Sequence, residues 1–238
     1  ALTRHSGAMT ATDTPTFAAR VSDALGGALS LVFPTWCAGC DAPDVPLCAV
    51  CRGALAVDVR TRTVDGLTVW SALAFEGIAA RVVRAAKEEG RTTLLRALAP
   101  ALRDAVGPAV GAVSTRPARA ITLVPIPTSA AAMRRRGYRV VDSICRHAGL
   151  PAHRLLIART RTADQRALGR AERARNVAGA FMAREAAGRT VLLVDDVVTT
   201  GATLREAAAA LRAAGATVLG AVTVASTPRK GIDTATDR

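Results

Sequence analysis

The sequence predicts an α/β fold with a largely parallel central sheet and a small zinc-knuckle segment at its N-terminal end. Three observations carry this expectation. From residue 67 onward, short apolar strand-like runs alternate with amphipathic helical stretches. Val191-Leu-Leu-Val194 is apolar at every position, as a strand covered on both faces must be. Between residues 37 and 51, four cysteines fall into two Cys-x-x-Cys pairs.

Residues 1–20 lack an uninterrupted apolar run and read as a tail without a signal peptide. No eighteen apolar residues follow one another anywhere, so membrane insertion is not expected and a cytoplasmic location is. Ser22 is placed to cap a helix whose Leu25, Leu29, Val32 and Phe33 share one face, and Pro34 ends it. Cys37, Cys40, Cys48 and Cys51 follow, the two pairs seven residues apart. Each pair turns two thiolates toward one ion, and two pairs supply the tetrahedral sulfur set of a structural Zn²⁺. Paired disulfides are the alternative, disfavoured in a reducing cytoplasm. A site closed by four cysteines has no open position for catalysis. The expected organisation is therefore a tail (1–20), an amphipathic helix with the four-cysteine zinc segment (21–66), a main domain (67–228) and a C-terminal tail (229–238).

Leu67–Phe75 reads as the first strand of the main domain, followed by helical stretches at 77–87 and 92–105 and a Gly/Pro/Ser-rich link at 107–118. A strand at Ala120–Pro125 leads into a polar loop at Pro127–Gly137, a helix at Tyr138–His147 and a short strand at Leu155–Ile157. Cys145 in that helix reads as a buried small hydrophobe. His147 and His153 read as surface residues, and His5 lies in the tail. Arg159–Asn176 is long, Arg-rich and without apolar periodicity, a pattern that in a compact domain is functional or mobile. Strands at Val177–Met182, Thr190–Val194 and Thr217–Val224 complete the set, with a helix at 203–214 ended by Gly215.

The charge is large and local. The chain carries 32 basic and 19 acidic residues, net +13, and between residues 130 and 190 fourteen Arg face four acids. Such a field attracts a polyanion, either a nucleic-acid backbone or a small polyphosphate, unless it is only a solvated face. The few aromatics weaken the case for an RNA reader built on stacked rings.

The densest chemistry lies in Asp195-Asp-Val-Val-Thr-Thr-Gly-Ala-Thr203, between a strand and a helix. Thr203 and Glu206 have capping-box spacing, which starts the helix here and turns its first amides toward the loop. With Gly201 allowing close backbone approach and Thr199, Thr200 and Thr203 offering hydroxyls, the turn is a phosphate cradle. Asp195 and Asp196 would repel a phosphate, so they must serve another part of the ligand. Vicinal hydroxyls donate to carboxylates, and a ribose beside its own 5′-phosphate satisfies both features. Walker A and GxGxxG patterns are absent, which removes the main support for ATPase and dinucleotide readings.

The run Val191–Thr203 resembles the phosphoribosyl-diphosphate signature of type I phosphoribosyltransferases. The chain over about 22–227 is similar to one branch, the ComF (competence protein F) family, through the cysteine knuckles, Val124-Pro-Ile-Pro127, Arg136-Gly-Tyr138, Gln165, Glu172-Arg173, Asn176 and Gly179-Ala-Phe181. The resemblance implies a type I phosphoribosyltransferase-like fold behind a zinc segment, and transfer of ribose 5-phosphate to a base-type acceptor with Mg²⁺. It also implies a link to DNA uptake. The alternative is a non-catalytic adaptor gripping DNA or a DNA-translocating partner. By the same resemblance Asp195 and Asp196 hold the ribose hydroxyls, and Thr199, Thr200, Gly201, Ala202 and Thr203 hold the 5′-phosphate. Thr128 and Arg136 belong to the pyrophosphate loop, and Arg159, Arg161 and Gln165 to the flexible loop. Relatives commonly continue Arg-Gly-Phe with Asn-Gln, where this chain has Arg139-Val140.

Overall fold

The computed structural model describes residues 35–113, 121–159 and 179–228. The expected helix after Ser22, Arg161, Gln165 and most of the Arg-rich segment lie outside them. A short helix, α1 (Ala49–Gly53), closes the second cysteine pair; β1 (Arg60–Val64) and β2 (Leu67–Ala74) then form a hairpin. Helices α2 (Gly77–Glu88) and α3 (Thr93–Val113) cross to β3 (Ile121–Pro125), followed by α4 (Ala130–Arg136) and α5 (Val140–Ala148). The described elements end with β4 (Leu156–Ala158), β5 (Phe181–Ala183), β6 (Thr190–Val198), α6 (Ala202–Ala213) and β7 (Thr217–Ser226).

The central sheet has the order β1-β2-β7-β6-β3. Strands β2, β7, β6 and β3 run parallel, and β1 adds an antiparallel edge through Arg60↔Ser71 to Val64↔Leu67. The expected α/β class with a mostly parallel sheet is what the chain adopts. Alternate residues of each strand feed opposite faces. Trp70, Leu192, Val194 and Val222 pack toward α2, α3, α5 and the cysteine segment. Val69, Val191, Leu193 and Ala221 pack toward α6 and the β4–β5 ribbon. Helix α3 supplies the first of these cores with Leu94, Leu95, Leu98 and Leu102, all fully buried. Each leucine contributes roughly 1.5–3 kcal/mol of apolar burial.

Several elements differ from the sequence expectation. Helix α3 runs on to Val113 through Gly107 and Pro108, in place of the expected link. Ala105 and Ala109 are buried on its inner face, and that packing outweighs the hydrogen bond Pro108 cannot donate. The loop expected over Pro127–Gly137 contains α4, started by Ser129 accepting from the Ala132 amide and ended by Gly137 at φ 75°. Strand β6 extends four residues beyond Val194, carrying both aspartates within the strand. Strand β1 gives no apolar signal, because Arg-Thr-Arg-Thr-Val occupies an edge and needs little burial.

Candidate functional site

Strand β6 lies between β3 and β7, and its chain continues to β7 through α6 while β3 enters from the opposite side. β3 leads on to α5 on one face of the sheet and β6 to α6 on the other, and an open parallel sheet forms a crevice between neighbouring strand ends whose connections leave to opposite faces. A cleft of 610 Å³ opens there. Asp195, Asp196, Thr199 and Thr203 form its floor, Thr128 and Arg136 one wall, and Arg84 and Lys87 the other.

Asp195 accepts a hydrogen bond from the Asp196 amide at 2.8 Å, and Asp196 Oδ1 accepts from the Val197 amide at 2.7 Å. The Lys87 ammonium contacts both Asp196 carboxylate oxygens, at 2.9 Å and 2.8 Å. Burial first, and then the charge of Asp196, push the Asp195 carboxyl well above the usual carboxylate range. Although adjacent strand residues point to opposite faces, both aspartates reach the same cleft at this strand end.

The cradle behind them is built differently from the expected capping box. Gly201, at φ 79°, is the N-cap of α6, and Thr203 lies inside the first turn with its side chain on the cleft. Glu206 accepts instead from the Gly179 amide at 3.1 Å, which ties α6 to the end of the β4–β5 ribbon. At the other end Ala214 is the C-cap, and Gly215 follows at φ 82°. Thr199 lines the main cleft, whereas Thr200 faces a smaller recess beneath the β1–β2 hairpin. That hairpin braces the cradle. Arg62 donates to the Thr199 carbonyl at 2.6 Å, Asp65 pairs with Arg205 at 2.6 Å, and Val64 covers Gly201.

Across the cleft, the segment after β3 carries Thr128 and Ser129 and then the cationic end of α4, with Arg135 and Arg136 on the lining. Val140, the first residue of α5, adds an apolar patch to the lining. Arg159 lies at the end of β4 beside Gly179 and is not among the residues lining the cleft. Arg161 and Gln165 lie outside the described residues.

Sequence reasoning missed the wall that α2 forms. Phe75 at the end of β2 and Arg84 and Lys87 of α2 all reach the cleft. The Arg84 guanidinium lies over the Phe75 ring, 5.2 Å from its centre, so the cleft does hold an aromatic side chain. The available signal was the Arg84/Lys87 spacing of three residues, which puts both on one helix face just after a strand end. Among the described residues no histidine lines this cleft, and His147 and His153 are exposed. Cys145 is buried, and burial pushes its thiol up to about 12.

The second site lies behind α2. The sulfurs of Cys37, Cys40, Cys48 and Cys51 lie within 4.8 Å of one another. Cys40 and Cys48 are 3.8 Å apart, close to the edge of a tetrahedron with Zn–S bonds of about 2.3 Å. Burial pushes the Cys37 thiol up, but amides of Cys48, Gly39 and Cys40 outweigh it and bring it to about 6. Gly39 is crowded, since an added Cβ would lie 2.5 Å from Cys51 Sγ. The donor set fits a structural zinc ion. Arg81 of α2 holds Asp41 at 2.6 Å, and Arg91 donates to the Trp36 and Pro46 carbonyls, so the cysteine segment is seated on the helices that wall the cleft.

Residues 122–237 match the family model described as phosphoribosyl transferase domain. No curated protein matches the chain. Among solved structures it is similar to a UMP synthase from Leishmania donovani, with 16% identity and a TM-score of 0.36 over 74% of this chain. The chain spans 31% of that protein's length. The domain match supports a phosphoribosyltransferase, an enzyme of the glycosyltransferase type. Among the described residues no helix is long and apolar enough to cross a membrane.

Proposed function

We propose that the cleft binds phosphoribosyl diphosphate and transfers its ribose 5-phosphate to a ring nitrogen of a base-type acceptor, releasing pyrophosphate. One observation carries this reading: two carboxylates and a helix-start cradle share a single cleft with Arg135 and Arg136 on the facing wall. Anion, hydroxyl and anion sites in that order match a 5-phosphate, a ribose and a diphosphate. The bond from C1 to the diphosphate oxygen breaks as the acceptor nitrogen bonds to C1, through a transition state with positive charge on the sugar. Negative charge grows on the leaving group, and the arginines stabilise it without needing a nucleophilic side chain.

Asp195 and Asp196 orient the ribose hydroxyls and sit near the developing sugar charge. Thr199 and Thr203 fix the 5-phosphate with the first amides of α6. Asp195 and Asp196 have the oxygen donors that would help hold Mg²⁺ arriving with the diphosphate, and the ion would supply charge neutralisation at the leaving group. Cys37, Cys40, Cys48 and Cys51 hold structural zinc and take no part in the chemistry. The resemblance to the ComF family extends this reading to a cytoplasmic protein.

Calorimetry with phosphoribosyl diphosphate and Mg²⁺ tests the proposal, repeated on Asp195→Asn with Asp196→Asn. Binding by the unaltered chain and its loss in the double variant are expected, and no binding by the unaltered chain overturns the reading. Pyrophosphate release across a panel of nucleobases then names the acceptor.

A second reading, a nucleic-acid adaptor serving DNA uptake, has an observation of its own. Arg139, Arg146, His153 and Arg154 line a separate groove of 920 Å³, where Asp142 is the acid among the described lining residues and pairs with Arg154 at 2.5 Å. Salt-dependent DNA binding that ignores excess pyrophosphate would favour it.

A further inference from the structure

Lys87 is outside the matched domain, yet among the described residues it makes the one ion pair on the cleft floor. Asp196 is 7% exposed at its side chain and Lys87 34%, so the carboxylate is held inside while the ammonium reaches solvent. Both carboxylate oxygens are engaged. Lys87 and the Val197 amide take three of the roughly four acceptor sites of the carboxylate, so Asp196 can accept from both vicinal hydroxyls of a ribose only by giving up part of the lysine contact.

The residue type is informative. Of 32 basic residues only Lys87 and Lys230 are lysines, so arginine is this chain's ordinary cation. Arginine would lock a carboxylate with its rigid fork, whereas a lysine is a point charge on a flexible four-carbon stem and can change partners. Its helix need not move for it to do so. The Tyr138 hydroxyl donates to the Ala86 carbonyl, one residue before Lys87, and anchors that turn of α2. Arg84 and Arg136 already line the cleft that a diphosphate would enter.

Building on the proposed function, we propose that Lys87 is a substrate-gated counter-ion. While the cleft lacks ligand, it neutralises Asp196 and keeps a divalent cation from binding the aspartate pair by itself. When the magnesium diphosphate enters, the ammonium transfers to a diphosphate oxygen and Asp196 is released to the ribose. Cation and substrate then bind together rather than in either order.

The test is calorimetry on the full chain with three titrants: Mg²⁺ alone, magnesium pyrophosphate, and magnesium phosphoribosyl diphosphate. The unaltered chain is expected to ignore Mg²⁺ alone. Lys87→Met is expected to bind Mg²⁺ alone and to lose about tenfold or more in affinity for magnesium pyrophosphate, the loss of one charged hydrogen bond. Lys87→Arg, with its fork fixed on Asp196, is expected to exclude Mg²⁺ yet still lose pyrophosphate affinity. If Lys87→Met matches the unaltered chain in both titrations while phosphoribosyl diphosphate still binds, the counter-ion role falls and the proposed function stands. If the unaltered chain does not bind phosphoribosyl diphosphate, both fall.

A second measurement needs no variant. Lysine labelled with ¹³C at Cε gives two side-chain signals in this chain, one for each lysine. The Lys87 signal is expected to shift with magnesium pyrophosphate and to stay in place with Mg²⁺ alone. A signal that does not respond to pyrophosphate overturns the proposal even if Lys87→Met fails to fold.

Discussion

Val64 closes over Gly201 so tightly that a Cβ on the glycine would lie 2.3 Å from Val64 Cγ1. The cradle is thus shaped from outside its own loop, by the tip of the β1–β2 hairpin. Gly201 also sits at φ 79°, where a side chain costs roughly 1–2 kcal/mol. Gly201→Ala should therefore lower stability by at least that amount and weaken binding of phosphate-bearing ligands. Val64→Ala in the same chain should restore part of the loss, because it removes the nearest methyl but not the backbone strain. A double-mutant cycle by denaturant unfolding checks this, with a coupling of about 1 kcal/mol expected. Strict additivity would show that the hairpin does not shape the cradle.

What the sequence made legible were features whose partners are close along the chain. The β6–α6–β7 unit needs only an apolar run, a Gly-Ala-Thr turn and a second apolar run. The four cysteines need only their spacing. Lys87 and Asp196, by contrast, are 109 residues apart and meet because α2 packs across the sheet. No local pattern contains that. Glu206 shows the opposite failure, in which a familiar local pairing with Thr203 lost to a longer-range acceptor role for the Gly179 amide. Pro108 was a strong stop signal that buried alanines on α3 overrode.

The cysteine cluster should hold about one zinc per chain, measured by metal analysis on freshly purified protein. Gly39→Ala is the more searching variant, because it keeps every ligand and places a methyl 2.5 Å from Cys51 Sγ. It should lose most of the metal and lower the melting temperature, as Cys48→Ser with Cys51→Ser should. Full zinc occupancy in Gly39→Ala would mean that the knuckle relaxes around the extra carbon.

Asp195 sets a pH dependence whose sign follows from its raised carboxyl value. The folded chain keeps this proton at pH values where the unfolded chain, with an ordinary value of 3.8, has lost it. Folding is therefore linked to proton uptake, and the contribution of Asp195 falls as pH rises above 3.8 toward the folded value. Asp195→Asn removes this dependence, so the difference in unfolding free energy between variant and unaltered chain should grow in favour of the variant over that interval. Denaturant titrations at stepped pH measure it, and a difference that does not vary with pH would contradict the assignment.

The Arg136 side chain faces the end of the cleft assigned to the diphosphate. One charged hydrogen bond is worth about 1.5–3 kcal/mol, so Arg136→Ala should weaken magnesium pyrophosphate binding about 10-fold to 150-fold. Ribose 5-phosphate binding, which uses the floor and the cradle, should stay nearly unchanged. Calorimetry with the two ligands separates the ends of the site, and equal losses for both would contradict the assignment of Arg136 to the diphosphate end.

Tyr138 makes the remaining prediction, which concerns the support of the α2 wall. Ala86 lies in the last turn of α2, where carbonyls have no partner within the helix, and the Tyr138 hydroxyl fills that need. The apolar ring can remain in place when the hydroxyl is removed, so Tyr138→Phe isolates the hydrogen bond. An unpaired carbonyl at a part-buried position costs about 1–3 kcal/mol, a drop of a few degrees in melting temperature for a chain of this size. Because the same turn carries Lys87, the variant should also loosen magnesium pyrophosphate binding, by less than Lys87→Met does. Loss of stability with no change in affinity would make Tyr138 a structural tie alone. No change in either would mean that water serves Ala86 equally well.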